Sequence, residues 1–189
     1  VMEEVARMYG YDNFEATEFT TTFTDSINQK DKSLVRNIKE YLAIRCGMQE
    51  VYTYPWMNDV FVNAVLQSTD GVLKLSTPPA PDMSCIRSSL LPNLCEAVAK
   101  NERYFNDFSI FEEAQVFFDK NYTNAYDETE SLPEQRRHIG AAFASSVKDI
   151  GMLFREAKGV LEYMPRYTHM EAYEFKKEEK PVWADNVVW

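Results

Sequence analysis

Arg87 and the adjacent pair Glu112-Glu113 are the residues whose types and setting could support chemistry. Arg87 stands alone between apolar Ile86 and Ser88-Ser89, where a guanidinium can either bind an anion or pair with a carboxylate inside the fold. The six glycines, Gly10, Gly47, Gly71, Gly140, Gly151 and Gly159, spell neither a P-loop nor a GxGxxG or GxSxG motif. With no phosphate-cradling loop nearby, internal pairing of Arg87 is the expectation. Glu112 and Glu113 could act as an acid/base couple only on one surface, yet successive residues of a strand point to opposite faces. One is expected outward and the other inward with a partner, because buried glutamate is rare unless paired.

Metal chemistry finds little support. Asp119, Asn121, Thr123, Asp127 and Glu130 place oxygen donors at positions 1, 3, 5, 9 and 12 of an EF-hand-like loop, but Asn124 stands where the sharp turn needs glycine. The flank Val116-Phe117-Phe118 also reads as strand, so a solvated hairpin loop is expected there. Cys46, Cys85 and Cys95 form no CxxC pair, and with only His138 and His169 no zinc spacing exists. An odd cysteine count without a framework points to reduced thiols and a cytoplasmic setting. The mixed run Lys176-Lys177-Glu178-Glu179-Lys180 reads as a solvated turn before Pro181.

The elements that must position these residues follow from pattern. At 189 residues, 45% hydrophobic and 26% charged, the chain can bury a core without disulfide staples. Its net charge of -10 would repel phosphate backbones, so nucleic acid is not expected to bind this segment itself. No run approaches the roughly 20 apolar residues that span a bilayer, so no membrane partner is expected. Val1 opens inside a helical pattern and Val187-Val188-Trp189 closes inside a strand-like one, as in a piece of a longer polypeptide.

Met2 to Tyr9 reads as a helix ended by Gly10, and the Thr-rich stretch Phe14 to Gln29 as an extended linker. Leu34, Ile38, Tyr41, Leu42 and Cys46 recur at helical spacing, with Asp31 or Ser33 as cap and Gly47 as terminator. Strands are expected at Val51–Pro55 and Val72–Ser76, with a short capped helix from Asn58 to Leu66 between them. Ser88 or Ser89 caps a helix bearing Pro92 in its first turn and Leu91, Leu94 and Val98 on one face. Phe108–Phe118 and His138–Ala144 read as antiparallel strands joined by a long loop. A helical stripe from Phe154 to Met164 is stopped by Pro165, and two further strands fill the remainder. This irregular order predicts an α+β fold built on an antiparallel sheet.

Five short motifs in one order carry a resemblance. Glu3-Glu4-Val5-Ala6-Arg7-Met8-Tyr9-Gly10-Tyr11-Asp12-Asn13, Gly47-Met48-Gln49-Glu50-Val51-Tyr52-Thr53-Tyr54, Arg87-Ser88-Ser89-Leu90-Leu91-Pro92, Asn101 and Phe111-Glu112 together resemble the phenylalanyl-tRNA synthetase β-subunit family. The resemblance implies a class II aminoacyl-tRNA synthetase-like antiparallel sheet flanked by helices. It makes residues 1–28 the tail of a preceding B5-like domain plus linker, and 29–189 a truncated catalytic-like core. Lys32 to Cys46 becomes the motif 1-like helix at the subunit interface, and Leu73 to Phe118 the motif 2-like strand, helix and strand. Class II adenylation relies on a motif 2 arginine against the α-phosphate, whereas Phe111-Glu112-Glu113-Ala114 offers carboxylates. A glycine-rich motif 3 ending in arginine is also missing from the sequence.

The family therefore implies a non-catalytic structural and assembly module that supports a catalytic α subunit. No cofactor is expected in this segment. ATP and magnesium are implied for the parent complex, and tRNA through other parts of the full-length chain. The alternative is a paralogue binding a small amino-acid or nucleotide-like ligand near Arg87, Glu112 and Glu113. For the interface, Leu34, Ile38 and Leu42 form one line on the first long helix, while Val35 and Ile44 lie apart from it and are the candidates to face a partner subunit.

Overall fold

The computed structural model describes residues 1–24, 27, 29–65, 69, 71–123 and 131–176. Most of the loop from Asp119 to Glu130, and the strand expected near Val187, lie outside them.

A long hairpin dominates the fold. Strand β4, Asp107–Thr123, pairs antiparallel with β5, Ser131–Ser145, with Phe111 opposite Ala141 and Glu112 opposite Gly140. Both strands run further toward the turn than the 11 and seven residues with aromatic and β-branched character, continuing past a register shift between Phe118 and Asn121. Alternation then sorts the side chains. Ile110, Ala114, Val116 and Ala142 pack on one face and Phe111, Ile139 and Phe143 on the other.

The edge strand β1, Gln49–Glu50, pairs parallel with β4, giving the order β1-β4-β5. The hairpin is antiparallel as expected, and the two-residue β1 adds a parallel edge to it. Between β1 and β4 the chain crosses over through β2 (Trp56–Met57), α3 (Asp59–Val65), β3 (Cys85–Ile86) and α4 (Leu91–Asn101), so it re-enters the sheet in the same direction. Neither expected strand survives intact in this crossover. Val72–Ser76 contributes one bridge, Lys74 to Cys85, against the β2-β3 ribbon. Val51–Pro55 leaves the ladder because the Thr53 amide donates to the Glu112 carboxylate instead of a neighbouring strand. Asn58 caps α3 as expected, its Oδ1 accepting from the Val60 amide at 2.9 Å.

Helices cover both faces of the sheet. Helix α1, Met2–Tyr9, ends at Gly10 with φ 95° and buries none of its residues. Helix α2, Lys30–Glu40, widens into a π-helical turn over Tyr41–Arg45, and Gly47, at φ 68°, lets the chain reverse into β1. Neither Asp31 nor Ser33 caps it. The helix begins one residue before Asp31, so both sit inside its first turn. Ile38, Tyr41 and Leu42 meet Phe111 and Met164 in one core cluster. On the opposite face Leu90 and Leu94 of the α4 region pack on Ile110 and Val116. Ser89 Oγ accepts from the Leu91 amide at 3.2 Å at the start of that helix.

Helix α5, Ile150–Thr168, is capped by Asp149, whose Oδ1 accepts from the Met152 amide at 2.8 Å. It passes through Pro165 and ends at His169 in the left-handed conformation. Proline was expected to stop it. The proline removes the amide that would donate to the Leu161 carbonyl, and its ring is buried in the fold.

Gly140 shows how closely α4 lies on the sheet. A Cβ at this position would stand 2.8 Å from Leu94 Cδ1 and 3.2 Å from Leu90 Cβ. Gly140→Ala is therefore expected to cost about 1–3 kcal/mol through overpacking, read as a lower urea midpoint with an unchanged slope.

Candidate functional site

Arg87, Glu112 and Thr53 meet between β4 and the start of the crossover. Arg87 is 7% exposed and Glu112 1%. The Arg87 Nη1 donates to Glu112 Oε1 at 3.0 Å, and its Nε donates to the Gln115 carbonyl at 2.7 Å. Thr53 closes the arrangement, its amide donating to Glu112 Oε1 at 3.0 Å and its hydroxyl to Oε2 at 2.7 Å. The backbone around Arg87 is fixed as well: its amide donates to the Pro55 carbonyl, and its carbonyl accepts from the Phe117 amide. Charge, both carboxylate oxygens and the guanidinium edge are thus satisfied within the fold, which is the arrangement a buried ion pair needs in order to persist.

Glu113 lies on the other face, as strand alternation requires. It pairs there with Arg137 at 3.1 Å and Lys39 at 3.4 Å. Lys39 also reaches Glu50 and lies over the Tyr52 ring. Burial draws the Lys39 ammonium down, but the bonds to Glu50 and Glu113 outweigh it and hold its pKa above the ordinary lysine value. The two adjacent glutamates therefore belong to separate ion-pair groups and do not converge on one ligand. No cluster of His, Cys, Asp and Glu suited to a metal ion exists among the described residues.

The candidate interface residues part company. Val35 is half-buried, whereas Ile44, in the π-helical turn, is 73% exposed. Thr53 was not anticipated from sequence. Its partner is 59 residues away, and nothing in the local pattern Tyr52-Thr53-Tyr54 marks it.

A hairpin-centred sheet with helices on both faces is the arrangement of class II aminoacyl-tRNA synthetases. A pyrrolysyl-tRNA synthetase from Desulfitobacterium hafniense superposes with a TM-score of 0.55 at 14% identity, over 79% of this chain and 49% of that one. The Giardia lamblia prolyl-tRNA synthetase gives 0.51 at 10% identity, over 71% and 28%. At these identities the likeness is one of fold. The family is fixed by sequence: residues 15–186 match the model of the phenylalanyl-tRNA synthetase beta chain CLM domain, and the chain belongs to that family. The phenylalanine–tRNA ligase beta subunit of Carboxydothermus hydrogenoformans is 34% identical over 149 residues, 74% of this chain and 17% of the relative. That of Clostridium tetani is 26% identical over 188 residues, 95% of this chain and 22% of the relative. The chain thus spans about a fifth of the length of these relatives.

Proposed function

We propose that this segment is a non-catalytic structural and assembly module of a phenylalanyl-tRNA synthetase β subunit, supporting a catalytic α subunit in attaching phenylalanine to tRNA. The observation that carries the reading is the closed network of Arg87, Glu112 and Thr53. The strand position that would have to offer a cation to an α-phosphate carries a carboxylate, and the neighbouring arginine is consumed by it. ATP and magnesium then belong to the α subunit of the parent complex, and tRNA contacts to other parts of the full-length chain. The protein acts in the cytoplasm.

Within this reading, residues 1–28 end a preceding B5-like domain and its linker, consistent with the exposed α1, and residues 29–189 form the catalytic-like core. Helix α2 and its π-helical turn carry the subunit contact, with Ile44 as its exposed apolar residue. No helix among the described residues is long and apolar enough to cross a membrane.

Two measurements on the full-length protein test this. Ile44→Glu should abolish co-purification of the α subunit while the melting temperature of the β chain changes little, as expected for a surface substitution. The full-length chain freed of its partners should not catalyse phenylalanine-dependent exchange of pyrophosphate into ATP. Exchange that follows the chain through purification would overturn the non-catalytic reading, and an intact complex with Ile44→Glu would overturn the contact.

A further inference from the structure

Helix α5 and the π-helical turn enclose an open groove of about 570 Å3 that the ion-pair network does not touch. Arg45, Gly159, Val160, Tyr163, Arg166 and Tyr167 are among the residues that line it. Three observations single it out. First, in a chain of net charge -10, neither Arg45 nor Arg166 forms an ion pair among the described residues, although both are exposed. Second, Tyr167 is held in place before anything binds: it lies 5.4 Å from the Tyr41 ring and 5.6 Å from the Arg45 guanidinium, and the Tyr41 hydroxyl donates to the Val160 carbonyl. Third, Gly159 sits in the middle of a 19-residue helix, where glycine is disfavoured, yet a Cβ there would meet nothing within 4 Å. No packing within the described residues accounts for it, whereas close approach of another backbone would.

We propose that this groove docks an acidic segment of a partner protein, with Arg45 and Arg166 taking its carboxylates and Tyr163 and Tyr167 flanking its chain. The inference rests on the assembly reading, since it supplies a second contact beside exposed Ile44. Tyrosine and arginine are the side chains that most often dominate binding at protein interfaces. Unpaired guanidinium groups match carboxylates in charge and in planar geometry. Single-stranded RNA is the weaker fit, because the chain is acidic overall and Glu156 also lines the groove.

The test uses the full-length protein purified together with its associated chains. Tyr163 is replaced by the photoreactive p-benzoylphenylalanine, and the crosslinked peptide is sequenced by mass spectrometry. The expected product joins α5 to an Asp- or Glu-bearing segment of an associated chain. Its yield should fall by about tenfold in the Arg45→Glu/Arg166→Glu variant. Gly159→Leu, which puts a bulky side chain and a better helix former into the groove lining, should lower the yield equally without lowering the melting temperature. Crosslinking to RNA, to another part of the same chain or to nothing in an intact complex would overturn the proposal, as would a yield insensitive to both variants. If Ile44→Glu dissociates the complex while the groove variants do not change crosslinking, the groove proposal fails and the assembly reading stands. If neither affects association, both fail.

Discussion

Removing the Glu112 carboxylate, as in Glu112→Ala, is expected to cost roughly 3–5 kcal/mol of folding stability, the range for breaking a buried pair from one side. The loss comes from what is left behind. Arg87 would keep its charge at 7% exposure, and the Thr53 amide and hydroxyl would lose the acceptors at 3.0 and 2.7 Å. Arg87→Met combined with Glu112→Leu should recover the part of the loss that comes from the unpaired charge, while the Thr53 amide and hydroxyl still lack their acceptors. Urea unfolding of the wild type, Arg87→Met, Glu112→Leu and the double variant gives the coupling directly. A single variant that loses less than about 1 kcal/mol would mean that Arg87 is free to serve a ligand.

The second large effect is expected on the opposite face. Phe111→Ala should destabilise by about 3–5 kcal/mol, because the ring has no exposed surface and fills the space among Ile38, Leu42, Met48 and Met164. Hydrogen exchange should show the damage concentrated in α2 and α5, the helices that this ring holds to the sheet. Phe19→Ala, at a residue 89% exposed, should change stability by no more than about 0.5 kcal/mol and serves as the control. Equal losses from the two substitutions would refute this placement of the core.

What could be read from the sequence was what local spacing determines. The 3.6-residue recurrence of Leu34, Ile38 and Leu42 marks α2, and the density of aromatic and β-branched residues from Phe108 to Phe118 marks the heart of β4. Alternation alone separates Glu112 from Glu113. What escaped depends on partners far along the chain. The parallel pairing of β1 is decided by a crossover of more than 50 residues, and Thr53 leaves the expected strand because of one carboxylate 59 residues away. Helix α5 outlasted Pro165, whose ring is buried among residues distant in the chain, at the loss of one amide donor. The groove between α5 and the π-helical turn was hidden for the same reason: Arg45 and Arg166 are 121 positions apart, and only the closed fold brings them together.

The hydrogen bond from the Tyr41 hydroxyl to the Val160 carbonyl spans 119 residues. On the ribosome, at roughly 5–20 residues per second, α2 is made roughly 6–24 s before the helix that covers it. Ile38 and Leu42 have no sheet to rest against until β4 and β5 emerge, and no α5 until the end of the interval, since all three lie later in the chain. Part of that apolar surface stays open to chaperones and to neighbouring nascent chains until α5 is made. The β4-β5 hairpin, whose strands are adjacent in the chain, can close soon after it emerges and offer Phe111 to α2, but the cover that α5 gives α2 comes later. Translation that stalls between β5 and α5 would therefore release a chain with a formed hairpin and an α2 without its α5 cover, a species prone to self-association through the surface that the finished protein keeps inside.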